Sequence, residues 1–461
     1  MTDVAGELRM AHDLALMVPE LTLLVASALA LIAEMLRRPT WSLWLAGVGL
    51  LAGTVLTVPL VGTETTVFMG TYRVDALAAW SKLILFPAAA LVLVLLRSEI
   101  RGKAREGTAY SLLAFTTLGS VVLAGVGDVM LVVLGVLLAS LGSFALVAFE
   151  QDDRSTEAGM KYFVFGSVAS ALMAFGLSYW FAAAGSTLLS DLAALETMRV
   201  AGVAGLVGVV VGLGYKAALA PFHFWAPDAY DGAPVAIAAF LSVVPKVGAL
   251  FALAQVVHGL PDELGWRAAL AVLAVVSMTY GNLAALTQTS VVRLLAYSSV
   301  AQSGYFLLGV IALGRSELAL DSLVVFAAAY AAMNLGAFAV VMQVGRELED
   351  FTGLGRALGW LGAAMVVFLL SLVGIPPFAG FAGKLLLFGA AIDAEFAWLA
   401  VVGILNSVLA LAVYLRIVVA MYQRGARTLR PLRPVLFVSG LALLLTVAIG
   451  LGAEAFLVRP G

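Results

Sequence analysis

Three lysines, Lys216, Lys246 and Lys384, stand where an apolar chain has least reason to place a cation. Lys216 closes the run AGVAGLVGVVVGLGYKAALA, Lys246 interrupts FLSVVPKVGAL, and Lys384 lies in SLVGIPPFAGFAGKLLLF. An ammonium at mid-bilayer costs at least about 2.5–3.5 kcal/mol on the most lenient insertion scale, and residues retained at that cost mark ion or proton pathways. Withdrawal from water disfavours the charged form of an amine, which brings its proton into the exchangeable range. The chemistry open to such a set is proton transfer. His223, just beyond Lys216, ordinarily titrates near about 6.5. It can relay a proton between Lys216 and the membrane edge, or it can cap backbone carbonyls freed at a helix break.

Breaks are expected beside two of these lysines. Pro221 follows Lys216, and Pro376 and Pro377 precede Lys384, while Pro245 adjoins Lys246. Proline removes a backbone donor and clashes with the preceding turn, so the first two helices should be discontinuous at depth. Backbone groups exposed there persist only against a polar cavity or inside protein, and the positive end of a half-helix beside an amine would further disfavour its charge. Each broken segment carries a Pro-Phe pair and a nearby lysine, about 160 residues apart. That order fits two five-helix units of opposite topology, about 110–257 and about 267–421, an arrangement in which half-channels meet at mid-membrane.

The elements that must hold these groups are membrane helices. The chain has 461 residues, 63% hydrophobic and 12% charged, with a mean hydropathy of +1.07. That is the composition of a polytopic membrane protein. No linker or low-complexity stretch divides it, so residues 1–461 read as one all-α integral membrane domain. Runs long enough to cross about 30 Å of hydrocarbon fall near 14–36, 41–61, 76–96, 110–126, 129–149, 161–183, 200–225, 234–257, 267–287, 294–313, 321–343, 358–391, 396–421 and 434–456, about fourteen spans. The first is long and is preceded by Asp3, Glu7, Arg9 and Asp13, unlike a cleavable signal.

Basic residues alternate across these spans. Arg37, Arg38, Arg97, Arg101, Lys103, Arg105, Arg154, Arg293, Arg346, Arg356, Arg424, Arg427, Arg430 and Arg433 fall on one side. Arg9, Arg73, Arg199, Arg267, Arg315 and Arg459 fall on the other. The richer side faces the cytoplasm, which puts both termini outside. Lys82, Lys161 and Arg416 lie near helix ends, where long side chains reach the headgroups; Lys161 is also open to an accessory role. Glu20 and Glu34, toward the two ends of the first span, read as interfacial or inter-subunit groups.

Several chemistries are excluded. The chain has no cysteine, which removes disulfides, thiolate metal sites and covalent haem attachment. Its histidines, His12, His223 and His258, are too few and scattered for a bis-His haem. A net charge of -2 gives no nucleic-acid footprint. GLGYKA lacks the preceding strand of a dinucleotide site, and GFAGK lacks the first glycine and the following Ser or Thr of a phosphate loop. Gly202, Gly205, Gly208 and Gly212 mark close helix packing.

KAALAPFHFWAPDAYDGAP followed by PKVGAL, then RLLAYSSVAQSGY (Arg293 to Tyr305) and GIPPFAGFAGK, resemble the antiporter-like subunits of respiratory complex I. MVPELTLL in the first span extends the likeness over nearly the whole chain. The wording is similar to the N-type subunits of bacterial proton-translocating NADH–quinone oxidoreductase rather than the L and M types. The resemblance implies that Lys216, Lys246 and Lys384, on the seventh, eighth and twelfth spans, carry protons. It also implies a bacterial plasma-membrane location among other complex I membrane subunits, with no cofactor in this chain; NADH, flavin, Fe–S clusters and quinone would belong to partners.

The chain departs from that family at two places. The glutamate expected on the fifth span, opposite the helix-seven lysine, falls at about Leu137, and the histidine of a YSSIAH motif is Gln302. An opposite charge would hold Lys216 protonated in one state and release it in another. Its loss keeps two other readings open: a non-pumping structural subunit of the same complex, or a cation/proton antiporter subunit of the Mrp type.

Overall fold

The computed structural model describes residues 2–424, 429 and 431–453, with side chains from residue 9 onward. Arg427, Arg430 and Arg459 lie outside the described residues. The α-helices run in order α1 Thr2–Leu16, α2 Val18–Met35, α3 Pro39–Thr57, α4 Ala76–Ile100, α5 Glu106–Ala124 and α6 Val129–Val147. They continue as α7 Asp153–Ala184, α8 Arg199–Lys216, α9 Trp225–Gly232, α10 Val235–His258, α11 Trp266–Leu286 and α12 Val291–Ala312. The last are α13 Leu318–Val344, α14 Leu354–Ala357, α15 Trp360–Val373, α16 Ala379–Asp393, α17 Ala397–Tyr422 and α18 Arg433–Leu451.

Among the described residues, 13 helices are long and apolar enough to cross a membrane. The expected span 358–391 is divided into α15 and α16, neither of which is among the 13. The chain is a multi-pass membrane protein built of α-helices. The structure departs from expectation elsewhere as well. The first span begins at Val18, with Pro19 in its first turn, and α1 precedes it as a separate helix. The 200–225 run stops at Lys216. A small antiparallel hairpin, β1 Thr65–Val67 and β2 Tyr72–Val74, adds sheet to an otherwise helical chain; Tyr72 bridges to Val126 in the α5–α6 turn.

Helix starts are set by short acidic or hydroxyl caps. Asp75, Asp128 and Asp152 accept backbone N–H bonds from Ala78, Met130 and Ser155 at 2.6–2.8 Å, each satisfying a donor that the first turn leaves free. The cap at Asp128 is what separates α5 from α6. The glycine face of α8 packs on α7: a Cβ on Gly208 would meet the Gly176 Cα at 2.8 Å, so the two backbones touch.

Burial identifies the centre. The apolar windows of α10, α12 and α13 are 100%, 94% and 94% buried, against 33% for α2, α3, α7 and α18. The first set forms the interior and the second faces outward. Packing also recurs along the chain. Helix α5 lies on α6 and α10, and α11 lies on α12 and α17 in the same way; α7 packs on α8 as α13 packs on α16.

Candidate functional site

Both helix breaks expose backbone groups deep in the protein, and side chains satisfy them. Between α8 and α9, the Ala220 N–H donates to Ser277 Oγ at 3.0 Å, Ser303 Oγ donates to the Ala217 carbonyl at 2.7 Å, and Trp225 Nε1 donates to the Tyr215 carbonyl at 2.8 Å. Between α15 and α16, the Gly380 N–H donates to Ser371 Oγ at 3.0 Å. The Leu372 carbonyl accepts from Gln302 Nε2 at 3.0 Å and from Lys384 Nζ at 3.1 Å. Polar partners inside protein are what non-helical backbone at membrane depth requires.

The three lysines are fully enclosed, at 0%, 0% and 2% exposure for Lys216, Lys246 and Lys384. Lys216 Nζ donates to the Ala139 carbonyl at 2.9 Å, to Ser140 Oγ and Tyr162 Oη at 3.1 Å, and to Ser143 Oγ at 3.2 Å. Lys246 Nζ donates to Ser299, at 2.6 Å to the hydroxyl and 2.9 Å to the carbonyl. Lys384 Nζ donates to the Val373 carbonyl at 2.9 Å and Ser407 Oγ at 3.1 Å, and sits 3.9 Å from the Tyr305 ring centroid. Every hydrogen-bonding partner is a neutral oxygen. A buried amine so held is solvated by the protein without being locked in an ion pair.

Helix α12 ties these positions together. Ser299 receives Lys246, and its carbonyl also accepts from Ser303 at 3.0 Å, which in turn bonds Ala217, the residue after Lys216. One turn along, Gln302 shares the Leu372 carbonyl with Lys384 and donates to Tyr414 Oη at 3.4 Å. The Tyr230 and Ser299 hydroxyls lie 3.3 Å apart. YSSVAQSGY thus bonds the Lys246 amine, shares an acceptor with the Lys384 amine, and holds the backbone one residue after Lys216, whose own amine bonds α6 and α7. Ser140, Ser143, Tyr162, Ser299, Ser303 and Ser407 escaped the sequence reading. Serine in an apolar helix is an ordinary packing residue, and only the lysine opposite distinguishes these.

Several expectations are corrected. Leu137, the position to which the family resemblance assigns the missing glutamate within a residue or two, is 42% exposed; the α6 residues that bond Lys216 are Ala139, Ser140 and Ser143, and they are neutral. Lys384 bonds the carbonyl end of α15, so its amine lies at the negative rather than the positive end of a half-helix. Lys82 does not reach the headgroups: it is fully buried and pairs with Glu20 at 2.5 Å. Glu20 is therefore an internal partner rather than an interfacial group, and also accepts from Tyr72 Oη at 2.6 Å. Arg416 caps α11, donating to the carbonyls of Ala285, Leu286 and Gln288 at 2.6–3.3 Å.

The remaining candidates have no hydrogen bond to the three lysines. His223 is 4% exposed, in the break after Pro221, with ring centroids 4.7 Å from Tyr280 and 6.2 Å from Tyr297; its Nδ1 has no hydrogen-bond partner. Lys161 is half-exposed and pairs with Glu157 at 2.7 Å and with Asp228 of α9 at 3.0 Å. Asp228 also receives Arg293 of α12 at 2.8 Å. Burial pushes the Asp228 carboxyl up, but the bonds from Arg293 and Lys161 outweigh it and hold the group below the usual carboxylate range. Glu34 is partly buried against Gly107 at the start of α5.

Residues 126–410 match the family described as NADH:quinone oxidoreductase/Mrp antiporter, TM. The chain is similar to NADH-quinone oxidoreductase subunit N of Mycobacterium sp. (strain JLS), with 39% identity over 423 residues and 90% of each sequence covered. It superposes on a chain of respiratory complex I from Thermus thermophilus with bound aureothin, at a TM-score of 0.85 and 31% identity, covering 96% of this chain and 100% of that one. A chain of the Mrp complex from Dietzia sp. DQ12-45-1b aligns at a TM-score of 0.83 over 98% of this chain and 96% of its own, at 23% identity. That last likeness is one of fold alone.

Proposed function

This chain belongs to the membrane-spanning NADH:quinone oxidoreductase/Mrp antiporter family, and on that premise we propose that it is the N-type proton-translocating subunit of a bacterial NADH–quinone oxidoreductase. It moves protons through half-channels joined by Lys216, Lys246 and Lys384, driven by quinone reduction in other subunits. It carries no redox centre itself; NADH, flavin, Fe–S clusters and quinone act in its partners. It lies in the plasma membrane beside further antiporter-like subunits, with both termini outside.

The observation that carries this reading is three fully enclosed amines whose hydrogen-bond partners are all neutral oxygens, with α12 bonding the Lys246 amine and the two helix breaks beside Lys216 and Lys384. Each amine can lose and regain its proton without breaking a permanent ion pair. Protons enter near His223, pass to Lys246, and leave past Lys384, with the charge on Lys216 gating the transfer. The recurring packing of α5–α10 and α11–α17 supports two five-helix units, about 110–257 and about 267–421, meeting at this axis. Moving one charge against 100 mV takes about 2.3 kcal/mol, equivalent to a swing of roughly two pKa units at one amine.

The test is Lys216→Gln in membrane vesicles. NADH oxidation and assembly should persist while proton uptake per NADH falls; unchanged uptake would refute the assignment. The family description also names the Mrp antiporter, which leaves a second reading, cation/proton exchange. Sodium-dependent proton flux without electron transfer would support exchange and count against redox-driven pumping. Sodium needs oxygen ligands, and the hydrogen-bonding partners of the three amines include no carboxylate.

A further inference from the structure

An apolar groove of about 770 Å3 runs along the outer surface of the helix bundle. Its floor is α4, and its walls are α3 and α18. Leu43, Trp44, Val48 and Leu51 line one side and Phe437, Leu441 and Leu445 the other. Trp44, Val48, Leu51 and Phe437 are 57–66% exposed, so the apolar surface is not used within the chain. From Arg101 to Pro87 the floor measures about 21 Å at 1.5 Å per residue, which exceeds one half of a hydrocarbon core of about 30 Å. The groove is therefore as long as one leaflet.

One end is charged. Arg97 and Arg101 line the groove with Ser98, one turn apart on α4, and neither guanidinium has a hydrogen-bond or ion-pair partner among the described residues. The acidic groups at this membrane face are engaged elsewhere: Glu106 accepts from the Gly102 N–H at 2.6 Å, and Glu34 is bonded to the Gly107 backbone. Trp41 and Trp44, at the start of α3, mark the headgroup level, where tryptophan collects. Two unpaired cations at that level, above an apolar trough one leaflet deep, form the complement of a phosphate attached to acyl chains.

We propose that this groove is a binding site for an anionic diacyl phospholipid. Its phosphate is held by Arg97 and Arg101, and one acyl chain lies between α3 and α18. The trough continues past Pro87, Leu91 and Leu445 into a smaller apolar cleft of about 160 Å3 against Ala328, Ala331 and Leu335 of α13. The lipid thereby joins the peripheral helices α3 and α18 to the interior helix α13.

The assembled complex is reconstituted in phosphatidylethanolamine vesicles containing a trace of phosphatidylglycerol with a photoactivatable acyl chain, and the labelled peptides are mapped. Label should fall on 43–51 and 437–445 and be displaced by unlabelled phosphatidylglycerol but not by phosphatidylcholine. Arg97→Gln with Arg101→Gln should weaken labelling about thirtyfold, given two arginines at the surface. Ala90→Phe, which fills the trough and keeps both arginines, should abolish it and decides the matter if the arginine variant does not assemble. Equal labelling by a phosphatidylcholine probe, or labelling that survives both variants, overturns the proposal. Because the chain has no cysteine, a single Val48→Cys reports on the alternative: its efficient cross-linking to another subunit in the intact complex would show a protein helix in the trough and overturn it as well.

Discussion

Ser299 presents both of its oxygens to Lys246, the hydroxyl at 2.6 Å and the carbonyl at 2.9 Å. The same hydroxyl lies 3.3 Å from that of Tyr230, and the same carbonyl receives Ser303. One serine thus stands between the central amine and the break that follows Lys216. A hydrogen bond to a charged group is worth about 1.5–3 kcal/mol. Ser299→Ala should therefore slow proton transfer through this chain about 10- to 100-fold and remove its share of the protons taken up per NADH. Ser299→Thr, which keeps the hydroxyl, should retain that share. Fluorescence-quench measurement of vesicle acidification alongside NADH oxidation checks both variants.

Among the described residues, Glu20 and Lys82 form the ion pair with the least exposure, 3% and 0%. Removing one partner of a buried pair strands the other charge, at a cost of about 3–5 kcal/mol. Glu20→Gln should lower the yield and thermal stability of the assembled complex, and adding Lys82→Met should restore most of the loss. Thermal unfolding of the single and double variants measures the coupling; additive losses would mean the pair contributes little.

That pair also shows where sequence reading stopped. The spans and the deep lysines were legible, because hydropathy fixes which segments cross and helical rise fixes how deep a residue lies. Distance from a helix end does not reveal what covers that end. Lys82, seven residues into α4, looked free to reach the headgroups, but β2 folds back and sets Tyr72 against it, with the Lys82 Nζ 5.6 Å from its ring centroid. The available signal was matched depth: Glu20 and Lys82 begin their helices on the same membrane face, with opposite charge. The stretch of α6 opposite Lys216 was legible only to within a residue or two, and a helix has 3.6 residues per turn, so which residue meets Lys216 is chosen by how α6 is rotated against α8.

Asp228 joins Lys161 of α7 to Arg293 of α12, and these bonds hold its carboxyl below the usual range. A depressed carboxyl contributes stability that is complete above its unfolded value near about 3.9 and is lost as the pH falls through the folded value. Asp228→Asn should cost about 1 kcal/mol or less, since the pair is partly exposed. Its melting temperature should trail the unmodified protein by the same margin at pH 6 and pH 8, with the gap closing only below about pH 4. A gap that changes between pH 6 and 8 would mean another group sets this contact.

The most direct measurement is the proton-to-NADH ratio of vesicles carrying Lys246→Met. This variant keeps the length and apolar stem of the side chain and deletes the amine that bonds α12. The complex should assemble, oxidise NADH and pump fewer protons per NADH, by this chain's full share. An unchanged ratio would contradict the claim that the three enclosed amines of this chain carry protons.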